Sequence, residues 1–126
     1  MEKIIHTEDE MIELGRELSK TESCLLLTWR PRSGKSTLVK WFVEWLWLSP
    51  EKVTRTAINV IDNKLLHIDA MMCNNKKTKW ENIKREMEKY KYIVIEHPKR
   101  LERCELKWKK IDIKWKKDEQ RIITIS

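Results

Sequence analysis

Gly34-Lys35-Ser36 follows the apolar run Cys24-Leu25-Leu26-Leu27-Thr28 and precedes Leu38, Trp41, Phe42 and Trp45 at helical spacing. A loop between a buried strand and a helix N-terminus gathers free backbone amides and the positive end of the helix dipole, which together receive phosphate oxygens. In that setting Lys35 reaches the β- and γ-phosphates and the Ser36 hydroxyl ligates Mg²⁺. The full pattern, G-x-x-x-x-G-K-[ST], asks for glycine at position 29, where this chain has Trp29. Arg30 and Arg32 add positive charge beside the phosphates without restoring the freedom of that glycine. The plainer reading of the same residues is that Gly34 and Lys35 only begin a helix.

Two acids extend the signal. Glu96 closes the apolar run Tyr92-Ile93-Val94-Ile95, the place from which a strand delivers a carboxylate to hold Mg²⁺ or orient an attacking water. Asp69, in His67-Ile68-Asp69, ends another strand-like run and offers a second acid near the same sheet edge, or else a turn or helix cap. A glutamate ending a strand is ordinarily just solvated, and Glu96 gains meaning only from the phosphate loop upstream. His67 is expected as a packed, hydrogen-bonded histidine, since no His/Cys spacing suggests zinc. Trp108 and Trp115 stand among lysines that could track phosphates while the rings stack on bases, but strand alternation favours the core for both.

The elements that must position these groups are legible from periodicity. Thr7-Glu8-Asp9-Glu10 reads as a capping box in which the Thr7 hydroxyl and the Glu10 carboxylate each take the backbone amide at the other's position. Met11, Leu14, Gly15 and Leu18 give the helix that follows one narrow apolar face. Cys24 to Thr28 has the continuous apolar character of a strand covered on both faces, which implies a parallel sheet. The second helix is expected to run through Leu46, Trp47 and Leu48 until Ser49-Pro50 ends it. Residues 53–61 and 64–69 read as a hairpin around Asp62-Asn63, and residues 78–90 as a helix with Trp80, Ile83 and Met87 on one face. Ile111, Ile113 and Trp115, then Ile122, Ile123 and Ile125, suggest a closing antiparallel hairpin with one wet face. Leu106 and Trp108 have the opposite parity, which a bulge near Lys109-Lys110 would reconcile. The fold class is α/β: a P-loop NTPase-type three-layer sandwich with a central, mostly parallel sheet and a C-terminal antiparallel hairpin, in a single domain over residues 1–126.

Composition bounds the function. The 126 residues are 37% charged and 40% hydrophobic, with formal charge +7, which fits one small globular domain and not a disordered chain. No stretch approaches the roughly eighteen apolar residues of a membrane span, and MEKIIHTEDE has neither the core nor the cleavage site of a signal peptide, so a cytoplasmic protein without a membrane partner is expected. Cys24, Cys73 and Cys104 are too few and too widely spaced for a disulfide framework or a zinc knuckle. Residues 1–73 carry 10 Lys/Arg against 11 Asp/Glu, and residues 74–126 carry 17 against 9, so the positive excess lies in the second half. It reads either as a surface for nucleic acid or an acidic protein, or as solvation by lysine, which supplies 19 of the 27 basic residues.

Order and motifs together resemble the TsaE family, small P-loop ATPases of bacterial tRNA threonylcarbamoyladenosine modification, over nearly the whole chain. The opening from Ile4 to Leu18 is similar to the family's T/S-x-x-E cap and L-G-x-x-L helix. The loop G-D-L-G-A-G-K-T-T falls on positions 29–37, H-x-D on His67-Ile68-Asp69, and I-E-W-P-E-R on Ile95-Glu96-His97-Pro98-Lys99-Arg100. Trp29 and Arg32 stand at two loop glycines, His97 at the tryptophan, and Met71-Met72 where the family has Tyr and Arg. The family's S-P-T segment falls near Thr54-Arg55-Thr56-Ala57, with Thr56 or Ala57 in the place of the threonine. The resemblance implies that Arg32, Ser33, Gly34, Lys35, Ser36 and Thr37 bind ATP, that Ser36 and Glu96 serve Mg²⁺, and that Glu96 and Asp69 are the catalytic carboxylates. It also implies the partners TsaB and TsaD, with tRNA met through their complex. Two other readings stay open: a P-loop scaffold of the same complex that no longer hydrolyses ATP, and a basic nucleic-acid-binding module built on residues 74–126.

Overall fold

The computed structural model describes residues 1–29, 35–53, 58–70, 80–97, 108–115 and 120–126. Along the chain run β1 (Glu2–Ile5), α1 (Glu8–Thr21), β2 (Cys24–Trp29), α2 (Lys35–Trp45), a 3₁₀ turn (Pro50–Lys52), β3 (Ile58–Ile61), β4 (Leu65–Asp69), α3 (Trp80–Met87), β5 (Tyr92–Glu96), β6 (Lys109–Trp115) and β7 (Arg121–Ile125). The strands form one sheet in the order β1-β7-β6-β2-β5-β4-β3. Its centre, β6-β2-β5-β4, is parallel, and β1, β7 and β3 join antiparallel at the flanks. The expected parallel centre and the β6–β7 hairpin are both present.

Alternation explains why β2 and β5 read as unbroken apolar runs. Leu25, Leu27 and Val94 face a core under α1 and α2, with Leu14, Leu18, Leu38, Phe42 and Val43. Leu26, Ile93 and Ile95 face a second core under α3, with Ile83 and Met87. Both faces of these strands are dry, so both parities are apolar. The outer hairpin differs: Ile111, Ile113, Ile123 and Ile125 are buried on one face while Lys110, Lys114 and Thr124 on the other are exposed.

Helix α1 starts as its cap demands, with Thr7 Oγ1 accepting the Glu10 amide at 3.2 Å. The reciprocal bond is displaced by one residue, because Glu10 Oε2 accepts the His6 amide at 3.4 Å and not that of Thr7. Met11, Leu14, Gly15 and Leu18 are its buried face, as their spacing requires. At Gly15 the helices nearly touch: a Cβ there would lie 3.0 Å from Trp41 Cβ and 3.1 Å from the Phe42 nitrogen.

Three expectations are corrected. Helix α2 ends at Trp45, well before Pro50, because the chain closes it with a left-handed turn at Trp47 (φ 64°). There the Trp47 amide donates to Glu44 O at 2.9 Å and the Leu48 amide to Val43 O at 3.2 Å, satisfying the last carbonyls of the helix. The expected strand from residue 53 does not hold at Val53, which closes the 3₁₀ turn of residues 50–52; β3 is described over Ile58–Ile61, and residues 54–57 lie outside the described residues. No bulge interrupts Lys109-Lys110, since β6 pairs one-to-one with β2 from Leu25↔Lys109 to Trp29↔Ile113. Trp108 packs instead against the core under α3, so its opposite parity follows from the sheet having a core on each side. Leu106, the P-loop segment 30–34 and the polar stretch 73–77 lie outside the described residues.

Candidate functional site

Strands β2, β4 and β5 run parallel, so Trp29, Asp69 and Glu96 finish at the same edge of the sheet. From there β2 passes through residues 30–34 into α2, whose first residues are Lys35, Ser36 and Thr37. Glu96 shares the parity of Val94, and His67 and Asp69 that of Leu65, which puts all three on the sheet face covered by α1 and α2. The carboxylates and the start of α2 therefore share one edge and one face of the sheet, although 60 residues lie between Lys35 and Glu96 in the chain.

Asp69 and Glu96 are register partners on adjacent strands, and the Ala70 amide donates to Glu96 O at 3.0 Å, carrying the ladder one step past β4. Glu96 and His67 are each 1% exposed and Asp69 is 8% exposed. A carboxylate so buried requires a donor. His67 supplies it, with Nε2 2.8 Å from Glu96 Oε2. With Glu96 ionised the carboxylate only accepts, and the bond then takes the imidazole proton on Nε2. The expectation of a packed, hydrogen-bonded histidine is met, and its partner is the acid that the motif singled out.

Just beyond β5 the chain turns at His97, which has φ 53° while its amide donates to Leu27 O at 2.7 Å. The His97 ring lies 4.9 Å, centroid to centroid, from that of Trp29, tilted by 54°. The two positions at which this chain departs from the family's glycine and tryptophan are thus in contact. On the opposite face of β2, Thr28 Oγ1 donates to Asp112 Oδ1 at 2.7 Å and ties the end of β2 to β6.

Thr37, half-buried in the first turn of α2, opens on a cavity of about 400 Å³ lined also by Ile5, His6, Thr7, Glu8, Met11 and Arg121. Sequence reasoning placed Thr37 among the site residues and missed the rest of this wall. Thr7 announced itself only as a helix cap, and nothing local marks Arg121, which arrives from the far end of the chain on β7. Arg32, Ser33 and Gly34 lie outside the described residues, and Lys35 and Ser36 are placed by their backbone as the start of α2. Cys24 is half-buried, and that burial pushes its thiol above the ordinary value, away from thiolate chemistry.

A central parallel sheet with helices on both faces, its strands β4 and β5 ending in buried acids, defines a three-layer α/β protein. The chain belongs to the TsaE family: the model described as "Threonylcarbamoyl adenosine biosynthesis protein TsaE" matches residues 5–123. Among solved structures it is similar to Bacillus subtilus YdiB, with TM-score 0.72 and 18% identity over 99% of this chain and 83% of that one. No curated protein matches the chain. Family membership points to a role in threonylcarbamoyladenosine modification of tRNA. Among the described residues no helix is long and apolar enough to cross a membrane.

Proposed function

We propose that the chain is the ATP-binding accessory ATPase of tRNA N6-threonylcarbamoyladenosine modification, acting with TsaB and TsaD and meeting tRNA through their complex. The observation that carries this reading is the buried Glu96, flanked by Asp69, at the same edge and face of the sheet as the first turn of α2. Amides at that helix end and Lys35 bind phosphate oxygens, with Arg32, Ser33, Gly34 and Thr37 completing the loop. The cavity beside Thr37 is large enough for a nucleoside and presents both apolar and polar walls.

The donor set fits Mg²⁺, a hard cation that takes oxygen ligands and commonly needs only one or two protein carboxylates beside nucleotide phosphates. Ser36 and Glu96 would hold it, and when bound it neutralises charge developing on the phosphoryl oxygens. Asp69 supports that site or orients the attacking water. The protein's own contribution is positioning: rigid strands fix the acids, and the dry face of the sheet strengthens their interactions.

Calorimetric titration of the purified chain with Mg²⁺-ATP tests the reading. Binding is expected in the parent and absent in Lys35→Ala. Equal affinity in that variant would show that the loop assignment is wrong.

A further inference from the structure

We propose that His67 is a positioning residue for Glu96: by donating from Nε2 it fixes the carboxylate in the one orientation that serves the Mg²⁺-nucleotide site. The proposal rests on the reading of Glu96 given above and assigns the neighbouring strand a part in it. His67 and Glu96 are each 1% exposed and lie 2.8 Å apart across the β4–β5 pair. They are not direct register partners, since His67 pairs with Val94 and Glu96 with Asp69, so the bond runs diagonally between strands and draws the carboxylate toward β4.

A glutamate has three side-chain torsions, and one ending a strand would sample several of them. With Oε2 committed to a buried imidazole on a rigid strand, that freedom is removed before any ligand arrives. Hydrogen-bond partners of metal-binding carboxylates commonly change metal affinity or activity by about 10- to 100-fold when lost. Period-two alternation then gives His67-Ile68-Asp69 a physical meaning. Positions 67 and 69 share a face, the first orienting Glu96 and the second standing beside it in register, while Ile68 turns into the core under α3.

The test is ATP binding by calorimetry, with Mg²⁺ and with EDTA, on the parent, Lys35→Ala, His67→Gln and His67→Asn. The Gln amide nitrogen falls where imidazole Nε2 was and still reaches Glu96, whereas that of Asn falls at the Nδ1 position and does not. The expected result is a 10- to 100-fold loss of the Mg²⁺-dependent part of ATP affinity in His67→Asn. His67→Gln is expected within about threefold of the parent, and affinity in EDTA is expected to be the same for all but Lys35→Ala. Melting curves confirm that both His67 variants fold. Parental Mg²⁺ dependence in His67→Asn would overturn the proposal, as would a folded His67→Gln no better than His67→Asn. A parent that binds no Mg²⁺-ATP would overturn the reading of the site, and this proposal with it. Binding that is lost in Lys35→Ala but indifferent to His67 would leave the reading standing and remove the proposal alone.

Discussion

Asp62 sits at the β3–β4 turn with its carboxylate shared between two donors, Lys52 Nζ at 2.6 Å and the Ser49 amide at 2.7 Å. The Lys52 ammonium first, and then the Ser49 bond, hold its pKa at about 2 against an ordinary 3.8. A carboxylate depressed in this way contributes stability that is complete above its unfolded value and is lost as pH falls toward about 2. Asp62→Asn is therefore expected to be less stable than the parent near neutral pH and to converge with it between about pH 4 and pH 2. Urea unfolding across that range checks it. The ion pair is solvent-exposed on the lysine side, so added salt will narrow the gap. At the same scale, the contact of Trp29 with His97 shows that two positions read as separate departures in the sequence are one packed pair in space.

At the scale of elements, the end of α2 departs from local preference. Trp47 occupies the left-handed position that glycine usually fills, and its side chain is 92% exposed. The turn persists because Leu48, 7% exposed, packs in the core beside Val43 while their amide and carbonyl bond. Left-handed backbone costs an L-residue about 1–2 kcal/mol, and glycine gives back about 0.5–1 kcal/mol through unfolded-chain entropy. Trp47→Gly is thus expected to stabilise the chain by roughly 0.5–1 kcal/mol, read as a higher urea midpoint with an unchanged slope. The neighbouring Trp45 is tied differently, lying 5.1 Å under the Arg16 guanidinium and so bridging α2 to α1. The β3–β4 hairpin obeys local preference, with Asp62 and Asn63 both at positive φ and Lys64 bonding back to Ile61 at 3.0 Å, the pattern of a type I′ turn.

For the molecule as a whole, one sheet separates two cores, and the central strands β2, β4 and β5 contribute to both. Loss of packing on either side therefore weakens the same sheet, and unfolding is expected as one cooperative transition. Val43→Ala under α2 and Ile83→Val under α3 share no core, so their destabilisations will add within about 0.5 kcal/mol. Two resolved urea transitions in the double variant would contradict this. The flanks are joined across the whole chain: the Met1 ammonium donates to Ile125 O and the Ile125 amide to Met1 O, both at 2.8 Å, which brings the cavity-lining β1 and β7 side by side.

What the sequence determined by itself is local. The Thr7 cap, the buried faces of α1 and α3, the apolar strands β2 and β5 and the Asp62-Asn63 turn all follow from torsional preference and side-chain periodicity within a few residues. The strand–loop–helix placement of Lys35 and the carboxyl-end placement of Glu96 were legible for the same reason. Tertiary structure decided which of these elements are neighbours. His67 meets Glu96 across 29 residues and Thr28 meets Asp112 across 84, and neither pairing has a signature before the strand order is known. The cavity beside Thr37 draws its wall from β1, α1, α2 and β7, and Trp47 is forced left-handed by the burial of the residue after it. Periodicity tells a strand which face is dry, but only the assembled sheet, by setting which strands pair and in what register, fixes what stands opposite.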